Sequence, residues 1–300
     1  MSTTRAMERL QGALPARCTA QAPLAALCTW RIGGPADLLL RPDNEEELQL
    51  ALGILAEERA AWWLVGAGSN LLFPDEGLRG VVLRLGSGFA GVGIESPLLR
   101  AGAALPSTTL CRTAAEAGLS GLEFAGGIPG TVGGMVRMNA GAHGQDVAQC
   151  LQRVRVMDHA GLATWLPAAD LAMAYRACPG LVGRLVLAAE FVLREERSEE
   201  ITRRMRAMLE ARRSSQPLRE ASCGSVFKRP EGDFPGRLIE AAGLKGHRVG
   251  AAVVSPLHAN FFVNEGGATA HDMLALVELV KRTVRERFGV ELQEEFQHVQ

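Results

Sequence analysis

Apolar residues fall at helical spacing in several stretches of this chain and at alternating spacing between them, so the pattern predicts a protein of mixed helices and strands. Leu48, Leu52 and Leu55 form one stripe of a helix predicted over residues 43–60. Asp43 or Asn44 caps it, and Glu45, Glu46 and Glu47 complement its positive end. A short helix follows over 107–118, capped by Ser107 and closed by Gly118, with Leu110 and Ala114 inward. Ile201, Met205 and Leu209 share one face of a helix over 198–213, whose other face carries Arg203, Arg204 and Arg206. It reads as a solvated helix bridging two domains. A brief helix over 237–242 ends at Gly243. Thr269 and Asp272 form a capping box for a long helix with Met273, Val277, Val280, Val284 and Phe288 inward, stopped by Gly289.

Between the helices the period is that of strands. Strands are predicted from Trp62 into a glycine turn, over 81–85, 183–193, 249–254 and 259–263, and as a hairpin over 151–166, where Val154 and Val156 alternate and residues 158–161 turn. The tail alternates as one more strand, with Val290, Leu292 and Phe296 on one face and Glu291, Gln293 and Glu295 on the other. The first 28 residues carry only a weak pattern.

Two glycine-rich turns interrupt this pattern. In Gly126 to Gly144, GGIPGTVGGMVRMNAGAHG, seven of nineteen residues are glycine. Glycine is tolerated where the backbone needs positive φ or must approach a ligand closely, and successive exposed N–H groups suit an anion. Arg137 is the only Lys or Arg in the stretch, so its backbone would carry most of any diphosphate binding. The simpler reading is a pair of tight turns around Pro129-Gly130. In WWLVGAGSN, Gly66, Ala67, Gly68, Ser69 and Asn70 make a second bend with backbone and side-chain donors. The dinucleotide fingerprint G-x-G-x-x-G fails there, because Leu71 occupies the position of the third glycine and no helix follows.

Composition narrows the function. Three hundred residues suit two domains, and 47% hydrophobic with 22% charged residues is ordinary globular usage. A net charge of −1 offers no field for a nucleic-acid backbone. The six cysteines lack a C-x-x-C pair, which argues against zinc and against a disulfide framework and fits free thiols in a cytoplasm. No window approaches a membrane-spanning length, and the N-terminus has no uninterrupted apolar segment, so neither export nor membrane insertion is expected. Cys223 is better explained by buried packing than by nucleophilic chemistry, since no His stands beside it, and His143 is expected to be structural or solvent-exposed.

The segments TWRIGGPAD, VGAGSNLLFPDEGLRGVVL, GLEFAGGIPGTVGGMVRMNAGAHG, AYR, CGSVFKRP, AGLKGHRVGAAVVSPLHANFFVN and FGVELQEE occur in the order seen in the UDP-N-acetylenolpyruvoylglucosamine reductases, flavoenzymes of peptidoglycan precursor synthesis. The chain resembles that family over nearly all of its length after Cys28. The resemblance implies an α+β protein: a vanillyl-alcohol-oxidase-type (PCMH) FAD-binding domain over 25–195, a bridging helix over 196–213 and a smaller α+β substrate-binding domain over 214–300. It implies non-covalent FAD, NADPH as hydride donor, a UDP-sugar substrate, no metal and no protein partner. Gly66, Ala67, Gly68, Ser69, Asn70 and Leu71, together with Gly127, Ile128, Pro129, Gly130, Gly133 and Gly134, would cradle the FAD diphosphate, and Asn139, Gly141 and Ala142 would continue that wall. Lys228, Arg229 and Asn260 resemble substrate-binding positions. Arg176, Ser225 and Glu295 match the catalytic residues. The residues after Glu295 depart from the family pattern. Tyr175 is the only tyrosine, so the substrate-loop tyrosine of longer members is absent and the chain resembles the shorter form.

The implied chemistry needs these residue types. Hydride addition to an enolpyruvyl ether builds negative charge on the adjacent carbon and its carboxylate, which a guanidinium stabilises through paired donors, as Arg176 would. A hydroxyl near cations, such as Ser225 with Lys228 and Arg229, suits the proton donor. Glu295 would need a raised pKa to relay a proton at neutral pH, and the alternation alone does not choose among Glu291, Glu294 and Glu295. Two other readings use the same fold: a flavin-dependent sugar oxidase, and a nucleotide-sugar-binding protein without catalysis.

Overall fold

The computed structural model describes residues 2–300. The chain forms two compact units that are interleaved along the sequence. One holds Met1–Ala20, Leu38–Ala67 and Gly80–Glu210; the other holds Gln21–Asp37, Gly68–Arg79 and Ala211–Gln300. The family resemblance implies a sequential order, 25–195, 196–213 and 214–300, whereas these compact units alternate along the chain. The physical reason lies in pairings distant in sequence. Trp30 Nε1 donates to the Phe262 carbonyl at 2.8 Å, Asn264 Nδ2 donates to the Trp30 carbonyl at 2.9 Å, and strand Gln297–His298 pairs in parallel with Leu71–Leu72.

Two sheets contribute strands to the first unit. One has the strand order Cys18–Pro23, Pro35–Leu40, Leu78–Leu83, Trp62–Leu64, and Trp62 pairs with Val81 and Leu64 with Leu83 in parallel. The helix Glu45–Glu57 starts where Asn44 Oδ1 accepts the Glu47 N–H at 2.8 Å, and it buries Leu48, Leu52 and Leu55 with Leu38, Leu40, Val81 and Leu83. A helix absent from the sequence expectation, Ser2–Ala13, adds Ala6 and Leu10 to this core. The other sheet is antiparallel, ordered Ala163–Pro167, Leu151–Asp158, Arg184–Val192, Leu98–Gly102, Val92–Glu95. Its apolar side joins the helix Ser107–Glu116 and the short helix Val132–Arg137 in a second core around Phe124 and Phe191.

Helix Ser198–Ser215 runs longer than expected and is less solvated. Arg204 donates to Glu123 at 2.7 Å and pairs with Glu196 at 2.5 Å, and Glu123 is buried.

The second unit has the antiparallel order Ala221–Ser225, Phe261–Asn264, Ala252–Val254, Arg248–Val249. Helix Ala270–Phe288 packs on the last two strands. Its capping box forms as expected: Thr269 Oγ1 accepts from Asp272 N at 3.0 Å, and Asp272 Oδ2 accepts from Thr269 N at 3.1 Å. The tail keeps its predicted alternation in burial, with Leu292 and Phe296 buried, but it is not one continuous strand. It bridges Phe227 at Glu294 and becomes regular only at Gln297–His298.

Candidate active site

In the first unit the glycine-rich turns meet. A Cβ built on Gly66 would lie 3.0 Å from Thr131 Oγ1, and one on Gly134 would lie 3.7 Å from the same oxygen. Thr131 caps the Val132–Arg137 turn of helix, its hydroxyl accepting the Gly134 N–H at 3.4 Å. Ser107, expected as a helix cap, works elsewhere: its hydroxyl donates to the Ile128 carbonyl at 2.6 Å, and its N–H donates to the Gly130 carbonyl at 3.1 Å. Ser107 and Thr131 therefore shape the turn Ile128–Pro129–Gly130. Only their tertiary partners reveal this. Arg137, the sole cation of the stretch, donates to the Leu181 carbonyl at 2.8 Å.

The same stretch holds the Tyr175-Arg176 turn. Ala174 and Ala177 exchange two backbone hydrogen bonds, 2.9 and 3.1 Å, around these two residues. Arg176 has φ +55°, a left-handed conformation uncommon for a side chain of its size. Buried Asn139 donates to the Ala174 carbonyl at 3.1 Å and to Asp146 Oδ2 at 3.3 Å, and its Oδ1 accepts from Ala148 N at 3.0 Å. Arg176 Nη2 donates to the Gly141 carbonyl at 3.0 Å. Asn139 and Gly141, expected as cofactor wall, are thus tied to the expected catalytic arginine. The Asn139 amide serves to hold that turn. His143 is exposed, as expected.

In the second unit, Gly68 must be glycine for a packing reason: with φ +64°, a Cβ there would lie 1.7 Å from the Leu27 carbonyl oxygen. Thr29 N donates to the Gly68 carbonyl at 3.1 Å, and Cys28 Sγ donates to the Leu71 carbonyl at 3.1 Å. The Asn70 side chain, expected as a donor within the bend, donates instead to the Glu295 carbonyl at 2.9 Å, and Gln297 N donates to the Asn70 carbonyl at 2.9 Å.

Ser225 and Glu295 are brought close by the backbone. Glu295 N donates to the Val226 carbonyl at 2.8 Å, and Lys228 N donates to the Gln293 carbonyl at 2.8 Å. Three glutamates therefore separate. Glu291 lies 3.5 Å from Arg285, Glu294 pairs with Lys281 at 3.0 Å, and Glu295 is close enough to buried Cys223 to act on its thiol. Burial first, then Cys28 and Glu295, pushes that thiol far above its ordinary pKa, so Cys223 is the packed, unreactive cysteine the sequence predicts.

Asn260 belongs to the frame of this segment. Its Oδ1 accepts Phe227 N at 3.0 Å, its Nδ2 donates to the Phe227 carbonyl at 2.9 Å, and its own carbonyl accepts Val226 N at 2.9 Å. The bonds lie just beyond the pair Ser225 and Phe261, at the end of the pairing of Ala221–Ser225 with Phe261–Asn264. Asn260 N in turn donates to His258 Nδ1 at 3.2 Å. Both side-chain polar atoms of Asn260 are thus engaged with Phe227. Lys228 is half-buried with no ion pair among the described residues, whereas exposed Arg229 stacks 4.2 Å from the Phe234 ring.

No group of His, Cys, Asp and Glu among the described residues is arranged to hold a metal, and no described helix is long and apolar enough to cross a membrane. Residues 36–166 match the FAD binding domain family, and residues 216–299 match the UDP-N-acetylenolpyruvoylglucosamine reductase C-terminal domain. The chain is 42% identical to UDP-N-acetylenolpyruvoylglucosamine reductase 1 of Bacillus cereus over 91% of each chain. It is 44% identical to UDP-N-acetylenolpyruvoylglucosamine reductase 2 of Symbiobacterium thermophilum over 96% of this chain and 94% of that one. The crystal structure of the reductase from Thermus caldophilus superposes with a TM-score of 0.82 at 37% identity, covering 94% of this chain and 98% of the other. With an FAD-binding domain joined to this C-terminal domain and relatives matched over nine-tenths or more of both chains, the chain belongs to the UDP-N-acetylenolpyruvoylglucosamine reductase family.

Proposed function

We propose that the protein is an NADPH-dependent reductase that converts UDP-N-acetyl-3-O-(1-carboxyvinyl)glucosamine to UDP-N-acetylmuramate in the cytoplasm, a step of peptidoglycan precursor synthesis. The observation that carries the cofactor assignment is the meeting of two glycine turns at Thr131, where Gly66 and Gly134 leave room that side chains would fill. Room of this kind lets a dinucleotide diphosphate approach the backbone closely. FAD, when bound, supplies the chemistry that carries a hydride between NADPH and the enolpyruvyl carbon.

The protein's own residues do the remaining work. Arg176 is assigned to the substrate carboxylate, where negative charge grows as the hydride arrives; its fixed turn supports that use, since a preorganised guanidinium needs no reorganisation at that moment. Ser225 is assigned to deliver the proton to the neighbouring carbon, balancing hydride and proton across the former double bond. Glu295, held to Val226 through its N–H, is assigned to assist that proton delivery. Lys228, with no carboxylate partner among the described residues, suits a phosphate of the UDP group.

The test is an absorption spectrum of the purified protein followed through two additions. A yellow protein that releases FAD on acid denaturation, bleaches with NADPH and regains colour with the enolpyruvyl substrate meets the proposal. Recovery of colour with oxygen alone and no response to substrate contradicts it and favours the oxidase reading.

A further inference from the structure

Two arginines that the proposed chemistry does not use stand side by side at the carboxyl end of parallel strands. Arg84 N donates to the Leu40 carbonyl at 2.9 Å and Gly86 N to the Pro42 carbonyl at 2.8 Å. The constant offset between donors and acceptors is that of parallel pairing, and it sets Arg84 beside Arg41. On the other side, Val65 N donates to the Leu83 carbonyl at 2.8 Å, which sets Val65 beside Arg84. Alternate residues fix the face: Leu38, Leu40, Val81 and Leu83 point into the apolar core, so Arg41, Arg84 and Val65 stand on the opposite face. Gly66, the first glycine of its turn, follows Val65 directly.

The pair is uncompensated. Neither arginine makes an ion pair or a side-chain hydrogen bond with any described residue, although Arg84 is half-buried. Burial and then the charge of Arg41 hold the Arg84 guanidinium below its ordinary pKa. The carboxylates nearby in sequence are committed elsewhere. Asp43 accepts Gly88 N at 2.8 Å and lies 3.5 Å from Arg17, Glu45 pairs with Arg155 at 2.7 Å, and Glu47 pairs with Arg17 at 3.0 Å. Two adjacent guanidinium groups, one partly desolvated, repel each other unless an anion joins them, and the planar forks match phosphate oxygens. The carboxyl ends of parallel strands are also where open α/β sheets bind ligands.

We propose that Arg41 and Arg84 form a binding site for a phosphate group of a nucleotide ligand. The site rests on the dinucleotide reading above, and its phosphate comes either from the FAD diphosphate or from the 2′-phosphate of NADPH. The first test uses inorganic pyrophosphate, titrated calorimetrically into the full chain freed of nucleotide. Binding should weaken by about tenfold in Arg84→Gln, the loss expected for one charge-assisted contact, and should weaken with added salt. Arg41→Gln should act in the same direction, and because Arg41 is exposed this variant keeps the test valid if Arg84→Gln fails to fold. Equal pyrophosphate affinity in wild type and a folded variant overturns the site.

Two further arms identify the source. A weaker FAD dissociation constant in the variants assigns the pair to the cofactor. Unchanged FAD affinity with a reduced preference of the FAD-loaded protein for NADPH over NADH assigns it to the hydride donor. If both stay unchanged, the arginines bind no nucleotide phosphate and the proposal fails. A wild-type protein that binds pyrophosphate through these arginines yet takes up no FAD sinks the flavin reading instead and leaves the anion site standing.

Discussion

Arg176 Nη2 donates to the carbonyl oxygen of Gly141 across 3.0 Å, so the arginine that the family pattern marks as catalytic is braced by the glycine stretch that the pattern marks as cofactor wall. The brace is reinforced by Asn139, whose amide donates to the Ala174 carbonyl at the base of the same two-residue turn. Holding a non-glycine residue at φ +55° costs about 1–3 kcal/mol, which the paired Ala174 and Ala177 backbone groups and the Asn139 bond offset.

Arg176→Lys keeps the charge and removes the planar set of donors. Reduction of the bound flavin by NADPH is expected to continue at its normal rate. Reoxidation by the enolpyruvyl substrate is expected to slow at least about tenfold, roughly 1.4 kcal/mol of transition-state stabilisation. Stopped-flow absorbance separates the two rates, and a normal reoxidation rate removes Arg176 from the reaction.

Arg204 gives a pH-dependent prediction. Burial by itself would raise the Glu123 carboxyl, but hydrogen bonds from Arg204, the local backbone including Gly121, and Ser120 hold it below the usual carboxylate range. A group with a depressed folded pKa contributes stability above its unfolded value and loses it as pH falls through the folded value, so the contribution is present at pH 7 and fades below about pH 4. Arg204→Ala leaves the buried carboxylate with only neutral donors and should cost about 1.5–3 kcal/mol at pH 7, the scale of a hydrogen bond to a charged group. At pH 4 the loss should shrink, because the abandoned carboxyl can then take up a proton. Urea midpoints at the two pH values check this, and an equal loss at both contradicts it.

These residues also mark how far the sequence was legible. Local signals carried: Asn44 and Thr269 cap the helices that their neighbours' spacing predicts, and the tail's alternation correctly buries Leu292 and Phe296. Signals that depend on distant partners did not. Arg204 reads as one charge on a solvated face because Glu123 is 81 positions away, and Ser107 reads as a cap because Ile128 is 21 positions away. Gly68 contributed to the ligand signal by its residue type, yet the Leu27 carbonyl is what excludes a side chain there. The helix Ser2–Ala13 is not legible because Ala6, Met7 and Leu10 make only a thin apolar stripe, whose apolar partners, such as Leu52 and Leu55, lie some forty residues on.

Asn260 separates framing from substrate contact. Asn260→Leu removes the partners of the buried Phe227 N–H and carbonyl together, and two unsatisfied backbone groups should cost about 2–4 kcal/mol. The denaturation midpoint should therefore fall, and the rate of substrate-driven reoxidation should fall with it as Ser225 and Lys228 lose their register. A variant of unchanged stability with only a raised KM would instead make Asn260 a substrate ligand.

Ser225 offers the sharpest test because its proposed work belongs to one half of the reaction. Its position is set by the bond from Glu295 N to the neighbouring Val226 carbonyl and by the Asn260 clamp on Phe227, neither of which uses the Ser225 hydroxyl. Ser225→Ala should therefore fold, bind FAD and be reduced by NADPH as the wild type is, since no proton reaches substrate in that half. In the second half the carbon next to the hydride acceptor must be protonated, and losing a positioned acid commonly costs about 100- to 10,000-fold. Substrate-driven reoxidation should drop by that order. Ser225→Cys retains an ionisable proton on a larger atom and should recover part of the rate where the sulfur fits. Rapid-mixing absorbance measures both halves in one instrument, and reoxidation of Ser225→Ala at the wild-type rate would pass the donor role to Glu295 or to water.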